Sequence, residues 1–375
     1  MALLLARSVS SKPVSTLATL PTPAILVDQA KLAANITRMQ AACDAHGVEL
    51  RPHMKTHKMV AVTRQQLAAG AQGLTCAKLG EAEAMIPSGV RSIFVAHSLV
   101  DLRQAYRIAQ LCEQLDDFRV ALTSEAHLPA LSELAVAVGR KLDVMLALDS
   151  GLGREGARDQ TAAHQLATAV GRHPALQLRG FYTHEGHLYG ALPAELPARV
   201  REMLDRLSAI RDAIDPSLAL WPGCSVTARL AAEASAGRIQ AVRPGSYVFG
   251  DLSLSRTTGV MAPEAVAVHV LATVIDRPEP GLALIDAGSK TFSSDRTPQS
   301  IFAQVDDGRD ISVVRVNEEH GYLRGADVDR LRVGERLSFV PAHICTVINL
   351  TDRVTVVQDN TIMDTWPVDA RGRTQ

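Results

Sequence analysis

The chain has 375 residues, enough for two domains or for one large barrel with a smaller unit attached. Hydrophobic residues make up 47% and charged residues 21%, and the formal net charge is -1; this is an ordinary soluble composition that gives neither nucleic acid nor an anionic membrane a reason to bind. No apolar run approaches the roughly 20 residues of a membrane span, and the five scattered cysteines (Cys43, Cys76, Cys112, Cys224, Cys345) read as reduced thiols of a cytoplasmic protein.

Residues 1–21 read as a flexible N-terminal segment. They contain no acid and only Arg7 and Lys12 as bases, a poor transit peptide, and "MALLLA" is too short for a secretory core. From 22 to 250, eight short apolar runs alternate with amphipathic stretches. The runs are "VELRPH", "GLTCA", "SIFVAH", "FRVALT", "DVMLALD", "LRGFYTH", "ALWPG" and "IQAVRPG". Strict βα alternation implies parallel strands, and eight of them predict a closed (β/α)8 TIM-type barrel. An open doubly wound sheet is the alternative, but no G-x-G-x-x-G follows the first strand. Beyond residue 250 the pattern turns β-rich, with turns such as "RPEPG" and "VGE". Residues 251–375 are therefore expected to form an antiparallel β-domain, a sandwich or small barrel.

In a barrel of this kind the reactive groups lie at the C-terminal ends of the strands. "RPHMKTHK" puts Arg51, His53 and Lys55 on alternate positions, hence on one face if the strand continues. Neighbouring positive charge disfavours the ammonium form of Lys55, and a neutral amine can attack a carbonyl to form a Schiff base. A solvated loop lysine is the plainer alternative. Further along, "LDSGLGREG" offers Asp149 and Arg154, and "GFYTHEGHLYG" offers Tyr182, His184, His187 and Tyr189. The loops "WPGCSVT" and "RPGSYVFGD" follow the seventh and eighth strands. Gly223, Ser225, Thr227, Gly245 and Ser246 there suit a phosphate. In "PAHICTVINL", a strand would put His343 and Cys345 on one face, a donor pair suited to zinc. By itself an isolated H-x-C reads as a buried histidine with an inert thiol, and "NEEHG", with Glu318, Glu319 and His320, as a solvated bend.

Taken together, "RPHMKTHK", "FYTHEGHLY", "RPGSYVFGD", "DAGSKT", "EEHG" and "PAHICTVINL" resemble the D-threonine aldolase/D-serine dehydratase family, alanine-racemase-like enzymes of pyridoxal 5'-phosphate. The resemblance runs from about Thr22 to Arg373. It implies that Lys55 carries the cofactor covalently. Arg154, Tyr182 and Tyr189 would then contact the cofactor ring or substrate, and Ser225, Thr227, Gly245, Ser246 and Tyr247 would surround the phosphate. His343 and Cys345 would hold a divalent metal beside the substrate β-hydroxyl, with the thiol favouring zinc and leaving manganese, magnesium and cobalt open. His184, His187 or His320 would be the base, unranked. The implied reaction is retro-aldol cleavage of a D-β-hydroxy-amino acid to glycine and an aldehyde. β-Elimination to a keto acid and ammonia, or cleavage of 3-hydroxy-D-aspartate, are the alternatives. The implied assembly is a homodimer, with a small-molecule D-amino acid as the partner.

Overall fold

The computed structural model describes residues 16–375. Residues 1–15 of the segment expected to be flexible lie outside the described residues. Its last part is pinned: the Arg336 guanidinium donates to the carbonyls of Leu17 (2.6 Å), Ala18 (2.7 Å) and Leu20.

The chain begins with β1 (Ala24–Asp28), whose closing residue caps the helix Gln29–Asp44 by accepting from the Lys31 N–H at 2.9 Å. Eight strands then follow where the apolar runs place them: β2 (Glu49–Leu50), β3 (Leu74–Cys76), β4 (Ser92–Ser98), β5 (Asp117–Leu122), β6 (Leu142–Ala147), β7 (Leu176–Tyr182), β8 (Ala219–Trp221) and β9 (Ala241–Val242). Strands β3 to β8 pair in parallel in sequence order, and β2 pairs in parallel with β9. Thr75 N–H to the Pro52 carbonyl (2.8 Å) joins β2 to β3, and Gln240 N–H to the Leu220 carbonyl (3.3 Å) joins β8 to β9. The ring is thereby closed. Alternation divides the side chains. Phe94, Met145, Tyr182 and Trp221 fill the interior, while Ile93, Val95, Val120 and Leu146 join the larger core under the helices.

The second half is built on β10 (Val268–Glu279), β11 (Leu282–Ile285), β12 (Ala303–Val305), β13 (Ser312–Val316), β14 (Gly321–Arg324), β15 (Arg336–Pro341), β16 (Arg353–Gln358) and β17 (Thr361–Pro367). The order is β11-β14-β13-β12-β15-β10, and the long β10 also pairs with β11. The expected β-domain is thus a closed six-stranded barrel. β1 lies against β10 and runs parallel to β16, so the first strand of the chain extends the second domain's sheet. All five cysteines are free. Among the described residues no helix is long and apolar enough to cross a membrane.

Candidate active site

At the C-terminal mouth of the parallel barrel, facing the β-domain, lies a cavity of about 690 Å³. Lys55 lines it from a single 3-10 turn, Met54–Thr56. The strand stops at Leu50, so the alternation expected of Arg51, His53 and Lys55 fails. Arg51 turns into the barrel, 4.6 Å from the Trp221 ring centroid, with Glu49 (2.8 Å) and Ser92 (2.6 Å) on its guanidinium. His57 is also turned away; it is buried and its Nδ1 accepts from Met59 N–H at 3.1 Å. Only His53 stays beside Lys55 in the cavity, and burial, then Lys55 and Arg243, push its imidazole well below the usual range.

Gly223, Ser225, Gly245 and Ser246 line one end. The Gly245 N–H donates to Ser225 Oγ at 3.0 Å. A Cβ on Gly245 would lie 2.5 Å from Thr56 Oγ1, so only glycine fits there without a shift. Thr227 and Tyr247, assigned with them to the phosphate, stand behind these loops instead. Thr227 is fully buried and donates to Glu185 Oε2 at 2.8 Å, and the Tyr247 hydroxyl accepts from Gln66 Nε2 at 3.0 Å.

Tyr182 and Tyr189 both line the cavity, and the buried Tyr182 hydroxyl has no partner among the described residues. Burial raises both phenols above their ordinary range. Beneath Tyr182 lies Arg243, 5.2 Å from its ring centroid, which donates to the Trp221 carbonyl at 3.3 Å and to the Thr183 carbonyl. Arg154 lines the cavity from the glycine-rich loop and pairs with Glu155 at 3.0 Å.

The histidines separate clearly. His184 lines the cavity. Its Nδ1 faces the Gly223 carbonyl at 2.9 Å; a carbonyl only accepts, so Nδ1 carries the proton and Nε2 keeps its lone pair. Burial, with Lys55 next, brings this imidazole down to about 4. His187 does not reach the cavity and packs on Gly151. His320 is exposed on the turn between β13 and β14, away from the cavity lining.

The strand expected through "PAHICTVINL" ends at Pro341, and Ile344–Asn349 is a helix with His343 as its N-cap residue. His343 and Cys345 nevertheless both line the cavity. His343 Nδ1 lies 3.1 Å from Oδ2 of the buried Asp251, and Cys345 Sγ lies 3.1 Å from Thr56 Oγ1. Cys345 raises His343 to about 11, with burial opposing and Asp251 assisting. Burial would raise the thiol, but His343, Lys55 and Thr56 outweigh it and the net displacement is downward. Among the described residues no cluster of three or more His, Cys, Asp or Glu side chains is arranged to hold a metal. Sequence reasoning missed Thr56, Arg243 and Asp251. All three lay inside motifs singled out for other residues, and Asp251 meets His343 only through the fold.

Residues 27–253 match the family described as alanine racemase, N-terminal domain, and residues 267–357 match the putative serine dehydratase domain. Fold and site together thus define an alanine-racemase-like enzyme. The chain is 30% identical over 372 residues to a D-threonine aldolase of Arthrobacter sp., covering 96% of each. It is 35% identical over 360 residues to the D-threo-3-hydroxyaspartate dehydratase of Delftia sp., covering 88% of this chain and 92% of the relative. The crystal structure of D-threonine aldolase from Filomicrobium marinum superposes with a TM-score of 0.85 at 28% identity, covering 96% of this chain and 97% of that one. This chain belongs to the D-threonine aldolase/D-serine dehydratase family of pyridoxal-phosphate-dependent lyases.

Proposed function

We propose that this chain cleaves D-β-hydroxy-amino acids by a retro-aldol reaction, with Lys55 holding pyridoxal phosphate and His343 with Cys345 holding a divalent cation. The observation that carries the reading is one contact: Thr56, next to Lys55, meets Cys345 at 3.1 Å, so the amine and the imidazole–thiol pair serve one cavity.

The residues fit both groups. The partnerless Tyr182 hydroxyl and the cradle of Gly223, Ser225, Gly245 and Ser246 suit a phosphorylated aromatic ring. Bound there, the pyridine ring delocalises the electron pair left on Cα when a bond to it breaks. An imidazole oriented by a buried carboxylate, beside a thiol shifted towards thiolate, suits zinc with open positions. Such a cation acidifies a hydroxyl it binds. D-threo-3-hydroxyaspartate dehydratase has been solved as a histidine-to-alanine variant and as a cysteine-to-alanine variant in a metal-free form; the replaced positions are two apart, as His343 and Cys345 are here.

In the cleavage, the β-hydroxyl gives its proton to a base, the Cα–Cβ bond breaks, and Cβ leaves as an aldehyde. Cα keeps the electron pair and takes up a proton to become glycine. His184 is assigned as the base because its Nε2 is bare and its ring lines the cavity. Lys55 orients the bound substrate at Cα, and the neutral His53 beside it keeps further positive charge out of the amine's surroundings. A homodimer is part of the proposal, to be read by sedimentation.

A second reading is supported by the higher identity to the Delftia dehydratase. There the Lys55 amine takes the α-proton, the hydroxyl leaves Cβ, and hydrolysis gives a keto acid and ammonia. Incubation of the purified protein with D-threonine and D-serine, with and without chelator, separates the two. Glycine and acetaldehyde from D-threonine, lost on chelation, are expected. Ammonia with a keto acid overturns retro-aldol cleavage, and no product from these substrates or from 3-hydroxy-D-aspartate overturns both readings.

A further inference from the structure

Four lysine or arginine side chains line the cavity, and three have a task. Lys55 is assigned to the cofactor, Arg154 pairs with Glu155 at 3.0 Å, and Arg243 is buried against backbone carbonyls. Arg296 has none: among the described residues it forms no ion pair and no hydrogen bond from its side chain. It is still held in place, its guanidinium carbon 4.7 Å from the ring centroid of the buried Phe302. A guanidinium stacked on a ring keeps its edge N–H donors free, in the fork that matches a carboxylate.

Its position relative to the proposed metal pair is fixed by hydrogen bonds. Thr346, in the helix that carries Cys345, donates to Asp295 Oδ2 at 2.7 Å and meets Ser293 Oγ at 2.9 Å. These bonds bolt the loop bearing Arg296 to that helix, so Arg296 and Cys345 stand on one wall. The neighbouring Asp295 carboxylate is engaged by Thr346 and forms no ion pair with Arg296. A substrate whose β-hydroxyl is directed at His343 and Cys345 brings the other substituent of its β-carbon to the same wall. A methyl group there gives the guanidinium nothing, whereas a carboxylate gives it two parallel charge-assisted bonds.

We infer that Arg296 determines specificity and selects β-hydroxy-D-amino acids whose β-substituent is a carboxylate, the 3-hydroxy-D-aspartate class, over D-threonine. This rests on the proposed placing of the β-hydroxyl at His343 and Cys345. A site built around a charged donor discriminates strongly against a substrate that leaves it unpaired.

The test has one arm that needs no turnover. The holoenzyme is titrated with D-aspartate and with D-2-aminobutyrate, which lack the β-hydroxyl, and binding is followed by the cofactor's absorption. Wild type is expected to bind D-aspartate more tightly. Arg296→Met is expected to reduce that preference by about tenfold or more, and Arg296→Lys to restore part of it. Far-UV circular dichroism verifies that each variant is folded. Equal weakening of both ligands would put Arg296 on the common α-carboxylate and overturn the inference, as would no change. In the second arm, kcat/KM for 3-hydroxy-D-aspartate relative to D-threonine falls by a similar factor in Arg296→Met. A wild type that cleaves D-threonine without preferring the anionic substrate overturns the inference and leaves the lyase reading standing. A wild type that cleaves neither overturns the lyase reading, and the titration still decides Arg296.

Discussion

One buried carboxylate, Asp251, joins the end of the parallel barrel to the imidazole of His343. Its Oδ1 accepts from Leu254 N–H at 3.0 Å, and its Oδ2 accepts from Ile344 N–H at 3.2 Å and lies 3.1 Å from His343 Nδ1. In the neutral imidazole the proton is thereby held at Nδ1, so that a cation displacing the Nε2 proton meets that nitrogen's lone pair. Replacing the carboxylate by an amide keeps the shape but weakens this orientation. Asp251→Asn is expected to lower zinc affinity by about 10–100-fold, measured by competition with a chromophoric chelator. Unchanged affinity would reduce Asp251 to a purely structural anchor. At this scale the sequence was partly legible. Lys55, His184, His343 and Cys345 are the chemistry-bearing side chains of their motifs, and all reach the cavity. Thr227 and Tyr247 carry suitable hydroxyls, but Thr227 donates to Glu185 and Tyr247 accepts from Gln66, which no local pattern reveals.

Two short elements hold the amine and the thiol, the Met54–Thr56 turn and the helix Ile344–Asn349, and a third segment straps them together. Asp369 Oδ2 accepts from Val60 N–H at 2.7 Å, capping the helix Val60–Ala68, whose own N-cap residue Met59 offers no side-chain bond. Ala370 N–H donates to the Lys58 carbonyl at 3.0 Å, and Lys58 Nζ, ion-paired to Glu81 at 2.8 Å, donates back to the Ala370 carbonyl at 3.3 Å. Gly372 N–H reaches Asn349 Oδ1 at 3.3 Å, at the far end of the helix that carries Cys345. Removing one cap in this strap costs about 1 kcal/mol. Asp369→Ala is accordingly expected to lower the free energy of unfolding measured in urea by that amount and to speed release of the cofactor during dialysis, with Asp369→Asn recovering most of both. A variant that loses stability but retains cofactor like wild type would separate the strap from the site. The helix Ile344–Asn349 was misread as a strand because six residues are too few to fix a period. Ile344, Val347 and Ile348 are all fully buried at the i, i+3, i+4 spacing of a helix, whereas the strand reading rested on the i, i+2 spacing of His343 and Cys345 alone.

At the scale of the molecule, the eight barrel strands were legible because parallel strands are covered on both faces and read as continuous apolar runs. β1 carries the same kind of run, "AILVD", but which sheet a strand joins is decided by partners far along the chain. Here they are β10 and β16, more than two hundred residues away. That pairing interlocks the two halves, since Leu26 packs with Leu271 and Val357 of the two neighbouring strands while Ile25 and Val27 join the main core. The strap at Asp369–Gly372 and the contact of Thr56 with Cys345 tie the halves again at the cavity. Units crossed by a shared strand and a shared site cannot unfold one after the other without exposing that strand and opening the cavity, so one cooperative transition is expected. The two tryptophans allow the test: Trp221 lies in the parallel barrel and Trp366 on β17 of the second domain. Trp366→Phe leaves a reporter for the barrel, and Trp221→Phe leaves one for the β-domain. Because Trp221 packs between Arg51 and Arg119, each 4.6 Å from its ring, its replacement shifts the midpoint itself. The comparison therefore runs within each variant, fluorescence against far-UV circular dichroism in urea. Coincident midpoints and slopes in both variants are expected; a fluorescence transition that leads or trails the dichroism in either one would mean that the shared strand does not hold the halves together.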